Sequence, residues 1–404
     1  MAELTAKYHT RTGRLLQGRL LFCLGFILFC HLAWFMTAAP QAEAAPARVV
    51  YGFDREFPPF SYEAPGGKPT GFEVEILEAI LKGENITLSY RPLQWENIAT
   101  ELSAGTISLT TGMVRTEQRA KLYLFSGKPT FHLHIKLFTK IYNRQPSIQK
   151  YKGTRVSVDQ NTFSHRLLQH FGGVHIQPMP NRADGLKALY KDQVNAYCGP
   201  VQNTYYYINK LKYSGITTVG TPLGIAPMHI AVSRERGDLT RLVNAGFDRI
   251  MKSGEYHRIY RKWFVRELTQ TDINAMHAAA VQAAVPAYTP YGGKPMGAAL
   301  LTATGKVFSA CTVENADKTL SLSAARAVLA RAVSDGEFEI RALMLTDQNG
   351  EVVAPTTTDL QAAYEFGPGT LIVGPKKGGG ADIMMVSQLL AKPVVVSTTP
   401  IIAE

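Results

Sequence analysis

Chemistry is expected first in the stretch Val313–Val328, VENADKTLSLSAARAV. It reads as the end of a strand, a polar turn, and a helix that begins near Ser321. The start of a helix collects unbonded N–H groups and positive potential, so a chemical role is expected there. Ser323, Ala324 and Ala325 supply one hydroxyl and two methyl groups. The place suits a site; the side chains do not. His132 and His134, in FHLH, fall on one face of an extended segment, but no third ligand accompanies them and a solvated strand face accounts for the pair. Cys198 and Cys311 lie far apart in sequence and read as buried small hydrophobes rather than a bridge.

The elements that position these residues follow from the whole chain. It has 404 residues, 46% of them hydrophobic and 19% charged, which suits two or three globular domains. Lys7, Arg11, Arg14 and Arg19 precede an apolar run, Leu20 to Ala39, and then Ala42-Glu43-Ala44. Residues 1–45 therefore read as a signal peptide that directs the rest of the chain to export, with a retained membrane anchor as the other reading. The net charge of +11 falls to +9 without them. No run of Lys and Arg with interleaved aromatics occurs, which argues against nucleic acid as a partner.

From Arg48 strands and helices alternate. RVVYGF, ITLSYRPL and ISLTTGMV read as strands, GFEVEILEAILKGEN and WENIATELSAGT as amphipathic helices. KLFTKIY crosses into a second series: RVSVDQ, a helix over 164–169, HIQPMP, DGLKALYKDQ and NAYCGP. Two βα series joined by an extended crossover predict an α/β fold with two lobes and a cleft at the carboxyl ends of the strands. The runs FPPFSY, GFEVEI, GMVRTEQR, LFSGKP, YKGTRVSV and GEYHRIYRKWF occur in order over 46–266. In these the segment resembles family 3 of the extracellular solute-binding proteins, the periplasmic receptors of polar amino-acid importers. The resemblance implies a periplasmic-binding-protein fold that closes its lobes on a ligand and presents the closed form to an inner-membrane permease or sensor.

By the same resemblance Arg119 stands where the family binds the ligand carboxylate, the role a planar guanidinium fills with two parallel bonds. Phe57 and Trp95 match cleft-wall aromatics, though each also fits a plain core position. Gly112 lies in the matching GMVRTEQR run, and Thr162 matches the threonine at the second lobe's helix start. The family usually carries an aspartate after the NAYCGP-type strand to neutralise the ligand's ammonium; here the stretch is Gly199-Pro200-Val201-Gln202. Either Gln202 or another residue compensates, or the ligand is not an ordinary α-amino acid. The expected solute is a small carboxylate-bearing molecule.

Residues 267–404 begin with an Ala-rich helix, DINAMHAAAVQAAV. The strands MGAALLTA and VFSACTVE, the helix SLSAARAVLARAVSDG, the strand IRALMLTD, the helix DLQAAYEF and the strand TLIVGP follow, a pattern for a three-layer α/β domain. AYTPYGGKPMGAALL, CTVENA, AARAVLARAVSDG and PTTTDLQAAYEFG are similar to the cytidine deaminase family. That family hydrolyses its base with a zinc-bound water and a glutamate proton carrier. The resemblance puts the first metal ligand at Ser323, the glutamate at Ala325, and the other two ligands at Thr356 and Asp359. None of the soft ligands is present, and neither is the acid. Glu314 remains where the family holds the ribose, while Thr312 and Lys294 replace an asparagine and a phenylalanine.

The expected function is thus a periplasmic solute receptor, not an enzyme. It needs no cofactor and no metal, and its catalytically degenerate deaminase-like module serves assembly, including homo-oligomers, or partner contact. The competing expectation is a nucleoside- or base-processing enzyme working through the C-terminal domain without zinc.

Overall fold

The computed structural model describes residues 47–376, 381–390 and 393–394; the export segment expected over 1–45 lies outside them. Among the described residues no helix is long and apolar enough to cross a membrane.

The strand Ala47–Asp54 puts Val49, Tyr51 and Phe53 into the core. The helix Phe72–Leu81 buries Phe72, Val74, Ile76, Leu77, Ile80 and Leu81, the stripe that its apolar spacing requires. The strands of the first part do not stay in two separate series. Two long strands, Phe131–Lys140 and Ile216–Val232, lie side by side and join everything into one nine-stranded sheet. Its order is His175–Met179, Arg155–Asp159, Ala196–Pro200, Phe131–Lys140, Ile216–Val232, Leu109–Val114, Ala47–Asp54 and Ile86–Leu93, with Leu124–Phe125 pairing at the side.

The outer pairs are parallel and the pairs around the two long strands antiparallel. Phe131, Leu133, Ile135 and Leu137 alternate along one of the long strands and are all buried, so it is held on that face by both lobes. The other shifts register between Val219 and Gly224, beside Gly220 at φ +50°, where the strand bends from one lobe into the other. KLFTKIY caught only the last part of this crossover.

The second part is a six-stranded sheet ordered Val307–Cys311, Met296–Thr302, Ile340–Asp347, Leu371–Pro375 and Ala381–Met385, with Val352–Val353 beside the third. Strand period two divides its residues between layers. Ala299, Leu301, Ala342 and Met344 face the helix Gln270–Ala284, while Ala298, Leu300, Leu343 and Leu345 face the helices Ala324–Ser334 and Thr357–Tyr364. The expected three layers are present. Gly297 allows the close seating of the first helix, because a Cβ there would lie 1.9 Å from the Ala280 carbonyl oxygen.

Several boundaries differ from expectation. The helix placed near Ser321 begins at Ala324, because Ser323 caps it and Lys318–Leu320 forms a separate short turn. The helix expected over 164–169 runs over Phe163–Phe171. The edge strand Ala381–Met385 had no counterpart in the reading.

Candidate functional site

Asp54 ends the first strand, and the turn after it carries Phe57 to Phe60. The Asp54 Oδ1 accepts the Glu56 N–H at 2.9 Å, and its backbone carbonyl accepts the Ser61 hydroxyl. Burial pushes the Asp54 carboxyl up to about 6, with Glu56 and Glu96 adding to the rise and Arg182 opposing it. Those neighbours locate the group. Glu56 and Glu96 belong to the first lobe, Arg182 to the second, so Asp54 stands where the lobes face each other.

Arg119 lies in the short helix Glu117–Leu122, whose first turn is capped by the Thr116 hydroxyl. Its Nη1 donates to the Val114 carbonyl at 3.1 Å, and its guanidinium carbon sits 6.0 Å from the centroid of the Trp95 ring. Gly112, at φ +72° in the adjoining strand, takes a conformation that only glycine holds without strain. Arg119, Trp95 and the Gly112–Val114 segment therefore come together on the first lobe. Phe57 stacks on Phe60 with ring centres 5.0 Å apart.

Across from them Asp159 ends its own strand. Its carboxylate accepts from Arg182 Nη2 at 2.6 Å and from the Tyr197 hydroxyl at 2.9 Å, and Arg182 Nε donates to that same tyrosine oxygen. Thr162 caps the helix Phe163–Phe171, accepting from the His165 N–H and donating to the Asp159 carbonyl. At the start of the helix Val201–Lys210, Gln202 Oε1, Asn203 Oδ1 and Thr204 Oγ1 are buried without a hydrogen-bond partner. The Asn203 amide donates across the cleft to the Pro58 carbonyl, and Tyr62 meets Tyr206 at 6.0 Å. The lobes are in contact.

Asp54, Arg182, Asp159 and Asn203 escaped the sequence reading. One signal could have found two of them: Asp54 and Asp159 are both the last residue of a strand, where α/β sheets place ligands. Arg182 carries no such mark. His132 and His134 are not a solvated face, for both are half-buried, and burial together with Lys136 pushes the His134 imidazole down to about 4. Among the described residues no group of three His, Cys, Asp or Glu side chains could hold a metal ion. Cys198 is buried as expected, whereas Cys311 on its edge strand is only half-buried; both are free thiols.

In the second part the two helix starts do meet. Ser323 Oγ donates to Asp359 Oδ1 at 2.5 Å, and Asp359 Oδ2 accepts from the Thr356 hydroxyl at 2.7 Å and the Thr356 N–H at 3.0 Å. Arg326 Nε donates to the Ser323 oxygen from the other side. Asp359 is 2% exposed, and its bonds go to neighbouring side chains and its own helix cap. Ala325 is fully buried among Val328 and Leu329. Glu314 Oε2 accepts the Tyr291 N–H, and its other oxygen occupies the space that a Cβ at Gly293 would need, so this carboxylate braces its own loop.

Two family models match. Residues 49–266 match the bacterial extracellular solute-binding proteins, family 3, and residues 250–358 match the zinc-binding region of cytidine and deoxycytidylate deaminases. An L-cystine-binding protein of Escherichia coli is 24% identical over 228 residues, 55% of this chain and 84% of that protein. A cytidine deaminase of Mycobacterium tuberculosis is 35% identical over 106 residues, 26% of this chain and 80% of that enzyme. Among solved structures, a histidine kinase sensor domain similar to periplasmic binding proteins aligns with a TM-score of 0.50 at 22% identity. It covers 55% of this chain and 97% of its own, a likeness of fold.

Proposed function

Because the chain belongs to family 3 of the bacterial extracellular solute-binding proteins and continues into a cytidine deaminase-like domain, we propose that it is an exported receptor for a small solute bearing a carboxylate and a positive charge. The receptor occupies residues 46–266, behind a signal peptide over 1–45, and the deaminase-like domain occupies 267–404. The observation that carries the reading is the pair of opposed chemistries in one cleft, Arg119 over Trp95 and Asp54 between the lobes. Arg119 would take the carboxylate by parallel charge-assisted bonds. Asp54 would supply the counter-charge that Gly199–Gln202 lacks, and Gln202 Oε1 and Asn203 Oδ1 would accept from the same ammonium. Phe57 and Trp95 would cover its apolar part, Gly112 would keep the backbone close to it, and Thr162 would fix the second lobe's wall. The closed form would be read by a membrane permease or sensor.

A melting screen of amino acids and related carboxylates tests this, since a ligand at a hundred times its Kd adds about 2.7 kcal/mol to the stability of the folded state. The screen is expected to give a stabilising solute whose effect Arg119→Ala removes; no stabilising solute, or an unchanged effect in that variant, refutes the reading. Asp54 adds a pH dependence. Its carboxyl loses its proton near 6, and only the ionised form attracts a cation, so affinity should weaken as pH falls through about 6. The Asp54→Asn variant should bind weakly at every pH with that dependence gone.

The deaminase-like domain, on this reading, catalyses no deamination. Its metal positions carry Ser323, Thr356 and Asp359, oxygen donors already spent on one another, and zinc sites of this kind are built from thiolate and imidazole. The 35% identity to a cytidine deaminase favours the rival reading of a nucleoside-processing domain. Bound zinc and cytidine turnover of the purified protein decide between them: both at background are expected, and stoichiometric zinc or deaminated product would favour the rival.

A further inference from the structure

The deaminase-like domain is fastened to both lobes by one end of its sheet. The strands Ile340–Asp347 and Leu371–Pro375 run parallel with Ala342 opposite Leu371, so their starting ends lie side by side. Immediately before the first of them Glu339 reaches into the second lobe. Its Oε1 accepts the Thr218 hydroxyl at 2.7 Å and lies 3.7 Å from Lys136 Nζ, and its Oε2 accepts the Tyr205 hydroxyl at 3.1 Å. Two residues earlier, Glu337 pairs with Arg144 at 3.4 Å, and Arg144 also donates to the Gly336 carbonyl. Thr218 and Lys136 lie on the paired long strands and Tyr205 on the helix Val201–Lys210, all on the far side of the hinge from Asp54.

Before the second strand, Gly369 lies against the Tyr260 ring; a Cβ there would come within 2.8 Å of it. Arg261 Nη1 donates to the Ile383 carbonyl on the neighbouring strand. Tyr260 and Arg261 sit on the helix Glu255–Phe264, which belongs to the first lobe: Phe264 meets Phe72 at 5.0 Å and Phe131 at 4.9 Å, and Lys262 pairs with Glu75 at 2.6 Å. The attachments are chemically unlike. The first-lobe side is aromatic and continuous with the main core, and the second-lobe side is a small group of charges. A two-lobed receptor opens by rotating one lobe against the other about its crossing strands. With one rigid sheet end seated on both lobes, that rotation requires one attachment to break, and the charged one is the side that water can replace.

We propose that the deaminase-like domain is a clasp, holding the second lobe on the first through Glu337 and Glu339, so that the cleft opens only when these carboxylates leave Arg144, Lys136, Thr218 and Tyr205. The clasp acts whatever solute the cleft accepts. Lys136 is 5% exposed on its side chain, so Glu339 is also what makes its burial tolerable.

Small-angle scattering of the purified protein without added solute tests this. The native chain should scatter as one compact closed particle, and Glu337→Ala with Glu339→Ala should increase both the radius of gyration and the maximum dimension. Circular dichroism verifies that the variant is folded. If it is not, Arg144→Ala, made on a partly exposed side chain, should shift the curve in the same direction by less. Folded variants that scatter like the native chain, or a native chain already open without solute, would overturn the clasp.

Discussion

Replacing Asp159 with alanine will lower folding stability by about 3–5 kcal/mol, the cost of leaving a buried charge without its partner. Arg182 and Asp159 keep only 12% and 11% of their side-chain surface, and the 2.6 Å contact between them is closed on the other side by the Tyr197 hydroxyl. Alanine there leaves the guanidinium and that hydroxyl facing a cavity. The arginine has a partial refuge, since its carbon lies 5.7 Å from the Tyr207 ring and Asp54 is within electrostatic reach. That refuge limits the loss but does not replace two hydrogen bonds. Urea unfolding reads the outcome as a lower midpoint at unchanged slope. A loss below about 1 kcal/mol would mean that the pair is solvated in the native state, contrary to its burial.

Replacing Glu73 with glutamine will do the opposite. This carboxyl is 1% exposed in the second position of the helix Phe72–Leu81. Its Oε1 accepts the Thr130 hydroxyl at 2.7 Å, and its Oε2 has no partner. Burial pushes it up from 4.5 to about 8, and the Thr130 bond only moderates the rise. Below pH 4.5 both folded and unfolded chains hold the proton, and the group costs nothing by titration. Between 4.5 and 8 the unfolded chain ionises while the folded one does not, so stability falls as pH rises, by about 3 kcal/mol at pH 7. Glutamine keeps the shape and the bond to Thr130 without the titration. The variant should match the native chain near pH 4 and exceed it by about 3 kcal/mol at pH 7; a constant difference across that range would show that Glu73 does not titrate as described.

How much of this was legible in the sequence depends on the range of the forces involved. Helices such as Phe72–Leu81 and strands such as Met296–Thr302 follow from apolar spacing, which acts within a few residues, and both were placed correctly. The nine-stranded sheet was not, because pairing of Phe131–Lys140 with Ile216–Val232 joins segments some eighty residues apart and leaves no local pattern. The meeting of Ser323 with Asp359 could be anticipated from the resemblance, but the network itself depends on side-chain geometry. Asp54 was passed over for a related reason: nothing in GFDREF separates it from a turn residue until Glu96 and Arg182 are brought beside it. The absence of a carboxylate in Gly199–Gln202 was legible directly, whereas the proposal that Asp54 takes its place needed the groups around Asp54 in the folded chain.

The most direct test of the account is a crystal structure of the protein with a solute taken from the melting screen. The solute should lie between the lobes, its carboxylate bonded to Arg119 and its positive end against Asp54 with Gln202 or Asn203 beside it. A solute seated at Ser323 and Asp359, or one in the cleft whose carboxylate turns away from Arg119, would contradict it.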